Sequence, residues 1–304
     1  MPYFWILFNI FALGMLVLDL LVFHRRSRVV RSREALAWTA LWIALAAVFA
    51  AIVFFWQGRQ VALEFVTGYV LEVSLSTDNL FIFLLIFRYF SVPEQYQRRV
   101  LFWGIIGALL MRGVFILAGV GLIHRFHWIL YLLGALLIYS GIRLGFSGEH
   151  RVDPASNPAV KALRRLIPLT DSFQDGKLFV RGWKGNAGLY ATPLLVVLVV
   201  IETTDLLFAV DSIPAVLAVT LNAFIVYTSN VFAILGLRSM FFAVSSLMKR
   251  FRFLHTGLAL VLVLVGLKMI AANYIRVPTL AMLAAVATVL AVSMAASLMR
   301  PQQP

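Results

Sequence analysis

The sequence predicts an all-α, polytopic membrane protein with nine transmembrane helices, six of them forming two inverted three-helix repeats. Three observations predict it. Of 304 residues, 62% are hydrophobic and 13% charged, where a soluble domain is about half apolar and a quarter charged. The apolar residues fall into runs near the roughly 20 residues that cross a bilayer. Between those runs the positive charge alternates strictly. Twenty Lys and Arg fall on one side and three on the other, which the positive-inside rule reads as cytoplasm and exterior.

The elements follow in order. Residues 3–23 form the first apolar run. No positive charge precedes it, and Arg25, Arg26, Arg28, Arg31 and Arg33 follow it. It is expected to be an anchor with its N-terminus outside rather than a cleaved signal peptide. Further runs cover 36–56, 61–87, 100–122, 128–146, 191–220, 223–247, 256–275 and 278–299. The connection at Arg59, that at Arg125 and that at Arg276 lie outside. Those with Arg88, Arg98 and Arg99, with Lys249, Arg250 and Arg252, and the tail with Arg300 lie inside. Residues 147–190 are the only sizeable polar stretch. They are expected to form a cytoplasmic loop, with a short basic surface helix near 159–167 that anionic lipid attracts. The resulting units are 1–60, two N-terminal helices; 61–146, the first repeat; 147–190, the loop; 191–275, the second repeat; and 276–304, a last helix and tail. The formal charge of +13 then reports topology, not a nucleic-acid partner. With no cysteine, disulfides, thiolate metal sites and iron–sulfur clusters are excluded.

The repeat is visible in two strings. Glu72-Val-Ser-Leu-Ser-Thr-Asp78-Asn79-Leu-Phe opens one unit. Glu202-Thr-Thr-Asp205-Leu-Leu-Phe-Ala-Val-Asp211-Ser212-Ile-Pro214 opens the other. Arg112 and Arg238 follow near the outer and inner thirds of the next spans. Thr77-Asp78 can align with Thr204-Asp205, or Glu72 and Asp78 with Asp205 and Asp211; both registers stay open. Three spans per unit invert the second against the first, the arrangement of secondary transporters with midplane sites.

Seven acids lie in or near the spans: Asp19, Glu64, Glu72, Asp78, Glu202, Asp205 and Asp211. Asp19 is open between a packing and a functional role, and Glu64 is near the outer boundary. Each central acid costs about 2.5–3.5 kcal/mol on the insertion scale, so the other five need interior partners. Cationic side chains within the spans are Arg112, Arg238 and Lys268, the last placed to snorkel. Two arginines cannot neutralise five carboxylates. Protonation or a bound cation must supply the rest. Ser74, Ser76, Thr77, Asn79, Thr203, Thr204 and Ser212 surround the acids with oxygen, while His24, His124, His127, His150 and His255 fall in loops or at span ends. Oxygen-only surroundings suit Mg²⁺, Ca²⁺ or Mn²⁺. Asn230 is open between a ligand and an interhelical hydrogen bond. Glu72 and Asp78 lie about 9 Å apart along a straight helix, too far to share one ion. Either the helix breaks, at 74–79 or at the Asp211–Pro214 step, or both repeats contribute to one site.

The strings at Glu72–Phe83 and Thr204-Asp-Leu-Leu-Phe-Ala-Val-Asp-Ser-Ile-Pro-Ala resemble the TerC family, named for tellurium resistance, and its Alx-type branch. Tyr227-Thr-Ser-Asn-Val-Phe-Ala-Ile-Leu-Gly-Leu-Arg-Ser-Met supports the resemblance. It implies a bacterial inner-membrane protein that exports Mn²⁺, with links to alkaline pH and tellurite stress. The expected function is therefore export of a divalent cation, Mn²⁺ first, with no tightly bound cofactor and the lipid bilayer as the surroundings. Asp78, Asp205 and Asp211 are the expected principal ligands. Glu72, Glu202, Asn79 and Ser212 are further ligands or proton-coupled partners, and Arg112 and Arg238 balance charge or gate. Ca²⁺ as cargo, proton coupling and the oligomeric state stay open. The alternatives are a membrane scaffold or a tellurite- or pH-stress protein without ion transport, or a Ca²⁺/H⁺ exchanger. An intramembrane aspartyl protease would need a Gly-x-Gly-Asp string that the chain lacks, so no enzyme activity is expected.

Overall fold

A computed structural model describes residues 2–24, 32–146, 157–183, 186–244, 253–272, 274–275 and 277–299. The Arg-rich connection after the first helix, residues 147–156 of the 147–190 loop, the basic residues 249–252, and the tail with Arg300 fall outside the described residues.

The helices are α1 (Pro2–His24), α2 (Ser32–Gln57), α3 (Arg59–Tyr89), α4 (Glu94–Arg125), α5 (Ile129–Phe146), α6 (Pro158–Leu166), α7 (Pro193–Leu217), α8 (Ala223–Val244), α9 (Leu254–Ala271) and α10 (Thr279–Met299). Seven of them are long and apolar enough to cross a membrane over their described residues. α1 and α8 contribute shorter apolar stretches, Tyr3–Leu18 and Ala223–Leu237. The chain is thus an α-helical polytopic membrane protein. On α4, Leu110, Val114 and Leu117 are exposed along one face while Ala108, Arg112 and Ile116 are buried on the other. That is the reverse of a soluble helix packed on a core, and it fits a lipid-facing stripe.

Local chemistry sets the breaks. Gly58 alone separates α2 from α3, with φ 90, a left-handed conformation that favours glycine. Ser91 reverses the chain after α3 at φ 50. Pro93 then caps α4, whose first turn carries Glu94, favourable to the helix dipole. At 31 and 32 residues, α3 and α4 are each about 46–48 Å long, well beyond a hydrocarbon core of about 30 Å.

Of the two arrangements left open, a broken helix or a site shared between the repeats, the first is not found: neither α3 nor α7 breaks at the polar run 74–79 or at the Asp211–Pro214 step, and both run continuously. The Ser74 and Thr77 hydroxyls donate to the carbonyls of Val70 and Val73 at 2.6 and 2.7 Å. Thr204 donates to Val200 at 2.7 Å. Each hydroxyl is satisfied by its own helix, so the run demands no opening. Pro214 lies in the last turn of α7 and removes one donor just before the helix ends at Leu217. The polar loop also holds a two-stranded antiparallel hairpin that was not foreseen, β1 (Phe179–Trp183) and β2 (Asn186–Ala191). Phe179 pairs with Ala191 and Arg181 with Leu189, and a bulge lies between Arg181 and Trp183 at Gly182, whose φ is 72. The short basic helix is present as α6, but it is docked: Val160 is buried and packs in the core that holds Leu194, Val197 and Val200 of α7.

The interior is built by α3, α4, α7 and α8. α3 packs on α7 and α8; α7 packs on α3 and α4; α4 also packs on α8, and α5 on α9. The α5–α9 contact brings backbone against backbone. A Cβ on Gly134 would lie 3.0 Å from the Gly266 carbonyl oxygen. One on Gly266 would lie 2.7 Å from the Gly134 carbonyl oxygen. Such close approach through small residues is how membrane helices associate where no hydrophobic force drives them. Lys268 of α9 donates through its Nζ to the Ala218 carbonyl at the end of α7, 2.9 Å away.

Candidate functional site

α3, α4, α7 and α8 bring four polar side chains together at their midpoints. Arg112 is at the centre, only 2% exposed. Its Nε and Nη2 form a fork on the Asp205 carboxylate, at 3.3 Å to Oδ2 and 3.1 Å to Oδ1. Its Nη1 is ion-paired with Glu72 Oε1 and donates to Asn230 Oδ1 at 3.1 Å. Glu72 is fully buried and also accepts from Ser76 Oγ at 3.3 Å. Asn230 is oriented by its own helix, donating to the Val226 carbonyl at 3.1 Å. Asn230 is thus an interhelical hydrogen-bond partner in this arrangement.

The central position of Arg112 corrects the expectation that it lies in the outer third of its span. α4 extends from Glu94 to Arg125 and carries Arg112 close to mid-length, as the apolar run 100–122 also does. Asp205 is the middle residue of α7, and Glu72 is two residues from the middle of α3.

Around this core lie the other predicted residues. Glu202 is one turn before Asp205 on α7. Its carboxylate sits against Gly107 of α4, where a Cβ would collide with it, and its buried Oε2 has no hydrogen-bond partner. Glu72 Oε2 and the buried Ser212 Oγ also lack one. Ser212 shares a face of α7 with Asp205 two turns on, and Asn79 is buried two turns past Glu72 on α3. Asp211 is not part of the Arg112 cluster. It turns to α5, where Ser140 Oγ donates to its Oδ1 at 2.6 Å. The side chains of Asp78, Arg238 and Asp19 fall outside the described residues. Among the described residues, no three Asp, Glu or His side chains converge into a group that could hold a metal ion, since Arg112 stands between Glu72 and Asp205.

Sequence reading missed Ser140, Gly107 and the link from Asn157 Nδ2 to Thr203 Oγ1, 2.8 Å long. Ser140 had a faint signal, a hydroxyl in an otherwise apolar α5 segment. Gly107 had none, because its role is the space it leaves. Gly107→Ala tests that space. The added methyl must displace the Glu202 carboxylate, so thermal stability in detergent is expected to fall by about 1–3 kcal/mol, the usual range for overpacking. Unchanged stability would show that Glu202 has no fixed place beside α4.

Chemically the cluster is a buried, charge-dense junction with one guanidinium for two carboxylates, and a third carboxylate beside it. It can exchange positive charge. It offers nothing to hold an oxyanion apart from Arg112, which is already engaged by two acids.

A family model described as "Integral membrane protein TerC family" matches residues 57–304. An "Uncharacterized membrane protein STKORF319" from Myxococcus xanthus is 46% identical over 299 residues, covering 98% of this chain and 93% of that protein. "Putative membrane-bound redox modulator Alx" from Salmonella typhi is 44% identical, and the protein of the same name from Escherichia coli K12 is 42% identical. Each of these two matches spans 287 residues, 91% of this chain and 88% of the relative. No solved structure matches.

Proposed function

The chain belongs to the TerC family, and on that premise we propose that it is a secondary transporter exporting a hard divalent cation, Mn²⁺ first, across the bacterial inner membrane. One observation carries the reading: the buried junction in which Glu72 of α3 and Asp205 of α7 share Arg112 of α4 at mid-length of the bundle. An apolar bundle has no structural need for such a group, and ionisable residues inside spans mark ion and proton pathways.

Several features support the layout. The nine apolar segments of the sequence and the alternation of its positive charge support a layout with the N-terminus outside and the C-terminus in the cytoplasm. Exchanging α3, α4, α5 with α7, α8, α9 maps the observed packing pairs onto one another: α3–α8 becomes α7–α4, and α5–α9 becomes itself. Gly134 and Gly266 approach each other reciprocally, as an inverted repeat requires. Glu72 and Asp205 holding the same guanidinium from opposite halves favours the register that pairs Glu72 with Asp205 and Asp78 with Asp211.

The donors near the junction are oxygens, which suit Mn²⁺ over softer metals. A thiol-based redox role has no residue to act through, because the chain has no cysteine. The test is reconstitution of the full chain in vesicles with an ion-sensitive dye, comparing Mn²⁺, Ca²⁺, Mg²⁺ and Zn²⁺ with and without a pH gradient. Mn²⁺ flux above protein-free vesicles is expected, and its loss in Asp211→Asn. No flux of any of the four ions sinks the proposal. Flux that needs the pH gradient makes the protein an exchanger with protons; flux without it makes it a uniporter.

A further inference from the structure

The guanidinium of Arg112 occupies the ground that a transported ion would need. A hard divalent cation binds carboxylate oxygen at about 2.0–2.6 Å. Both Asp205 oxygens are already engaged by Arg112 Nε and Nη2, and Glu72 Oε1 by Nη1. Ion and guanidinium cannot bridge Glu72 and Asp205 together. Among the described residues, the partners of the guanidinium are side chains, from α3, α7 and α8. It is therefore tied to no single helix backbone, and it spans the two halves of the bundle.

Charge sharpens the point. Two ionised carboxylates bridged by one guanidinium keep one negative charge; the same pair on a divalent ion keeps none. The buried, unpartnered Glu72 Oε2 is where that remaining charge has no hydrogen bond. We propose that Arg112 is a tethered counter-cation that takes the ion's place between Glu72 and Asp205 whenever the carrier is empty. The proposal rests on the transport reading above. Ion binding releases the guanidinium, and ion departure lets it return. Glu202, one turn away with an unpartnered buried oxygen, gives the released guanidinium a second carboxylate. The consequence is kinetic. A loaded carrier reorients with the charge of the pair neutralised by the ion. An empty carrier reorients only because Arg112 cancels one of the two negative charges.

Two flux modes separate these steps. Net flux needs the empty carrier to return; exchange of Mn²⁺ for Mn²⁺, with the ion on both sides of the membrane, does not. The full chain in vesicles is assayed for net Mn²⁺ entry by dye and for exchange by radioactive Mn²⁺. In Arg112→Gln, net flux is expected to fall on the order of 100-fold, the factor for an unneutralised carboxylate in the spans. Exchange is expected to stay within about threefold of wild type, as no ion-loaded step uses the guanidinium. Arg112→Lys keeps the charge and restores part of the net flux. Parallel loss of both modes in folded Arg112→Gln, or undiminished net flux, overturns the proposal. If Arg112→Gln does not fold, Arg112→Lys decides by the same ratio: a net-to-exchange ratio equal to that of wild type overturns the proposal, and a lowered ratio supports it. Wild-type protein that shows neither mode refutes the transport reading itself, which is a different result.

Discussion

Asp205→Asn is expected to abolish net cation flux and to lower the stability of the detergent-solubilised protein by about 3–5 kcal/mol, the usual consequence of breaking a buried ion pair from one side. The substitution is nearly isosteric, so packing is unchanged and the loss is electrostatic. Asp205 anchors Arg112 through two charge-assisted bonds, which are stronger and more directional than neutral ones. With Asn in its place, one of the two contacts is lost, because the amide nitrogen and the guanidinium both donate. Glu72 then remains as the carboxylate on the guanidinium, beside the Asn230 oxygen. The triple variant Glu72→Gln, Asp205→Asn, Arg112→Met removes all three charges of the junction and is expected to recover most of the stability, because removing a whole buried ionic group is far less costly than orphaning one charge. It is not expected to recover net flux. Thermal unfolding in detergent and vesicle flux separate the two readouts. A stable, fully active Asp205→Asn protein would mean that the junction neither holds the bundle nor carries the ion.

The junction was half legible. Five acids in apolar spans, and the deficit of cations to match them, could be counted from the sequence, because a charge in hydrocarbon is costly wherever it sits. Which acid meets which arginine could not. Arg112 and Asp205 are 93 residues apart, and one sequence holds no signal for a pairing at that distance. That Glu72 and Asp78 cannot meet on a straight helix was legible as a distance, and α3 is continuous. The breaks left open as one alternative are absent because polar residues in a span do not require an open backbone when their hydroxyls bond the preceding turn, as Ser74, Thr77 and Thr204 do. The hairpin was hidden by its brevity. Phe179–Trp183 is five residues with a glycine bulge, too short for a period-two pattern to stand out from a loop. Asp211 was grouped with the ligands because the motif places it there. Its bond to Ser140 depends on how α5 lies against α7, which no local rule gives.

Gly266→Leu is expected to prevent assembly of the folded protein, with a loss of more than about 3 kcal/mol, the upper range for overpacking. Most of the chain's glycines have room for a side chain or a flexible neighbour that can yield; this one does not. A Cβ at Gly266 would meet the Gly134 carbonyl oxygen at 2.7 Å, Ile138 Cγ1 at 2.8 Å and the Ile138 amide at 3.1 Å. Two of those three atoms are backbone, so relief requires α5 and α9 to move apart. Moving them is not a local event. α5 and α9 hold each other along their length, with Gly141 equally tight against the Ala259 carbonyl at 2.7 Å, and α5 also carries the Ser140 that bonds Asp211 of α7. Separation would therefore draw Asp211 away from its partner and loosen α7, the helix that bears Asp205. Gly121→Leu is the control, since its Cβ meets nothing within 4 Å and the added side chain enters an open direction. Membrane-inserted, monodisperse protein is expected for Gly121→Leu and aggregated or degraded protein for Gly266→Leu, measured by size-exclusion chromatography after detergent extraction. The milder Gly266→Ala should fold with reduced thermal stability. Equal behaviour of Gly266→Leu and Gly121→Leu would show that the α5–α9 contact does not hold the two halves together, and would leave the reciprocal glycine approach without a role in the repeat.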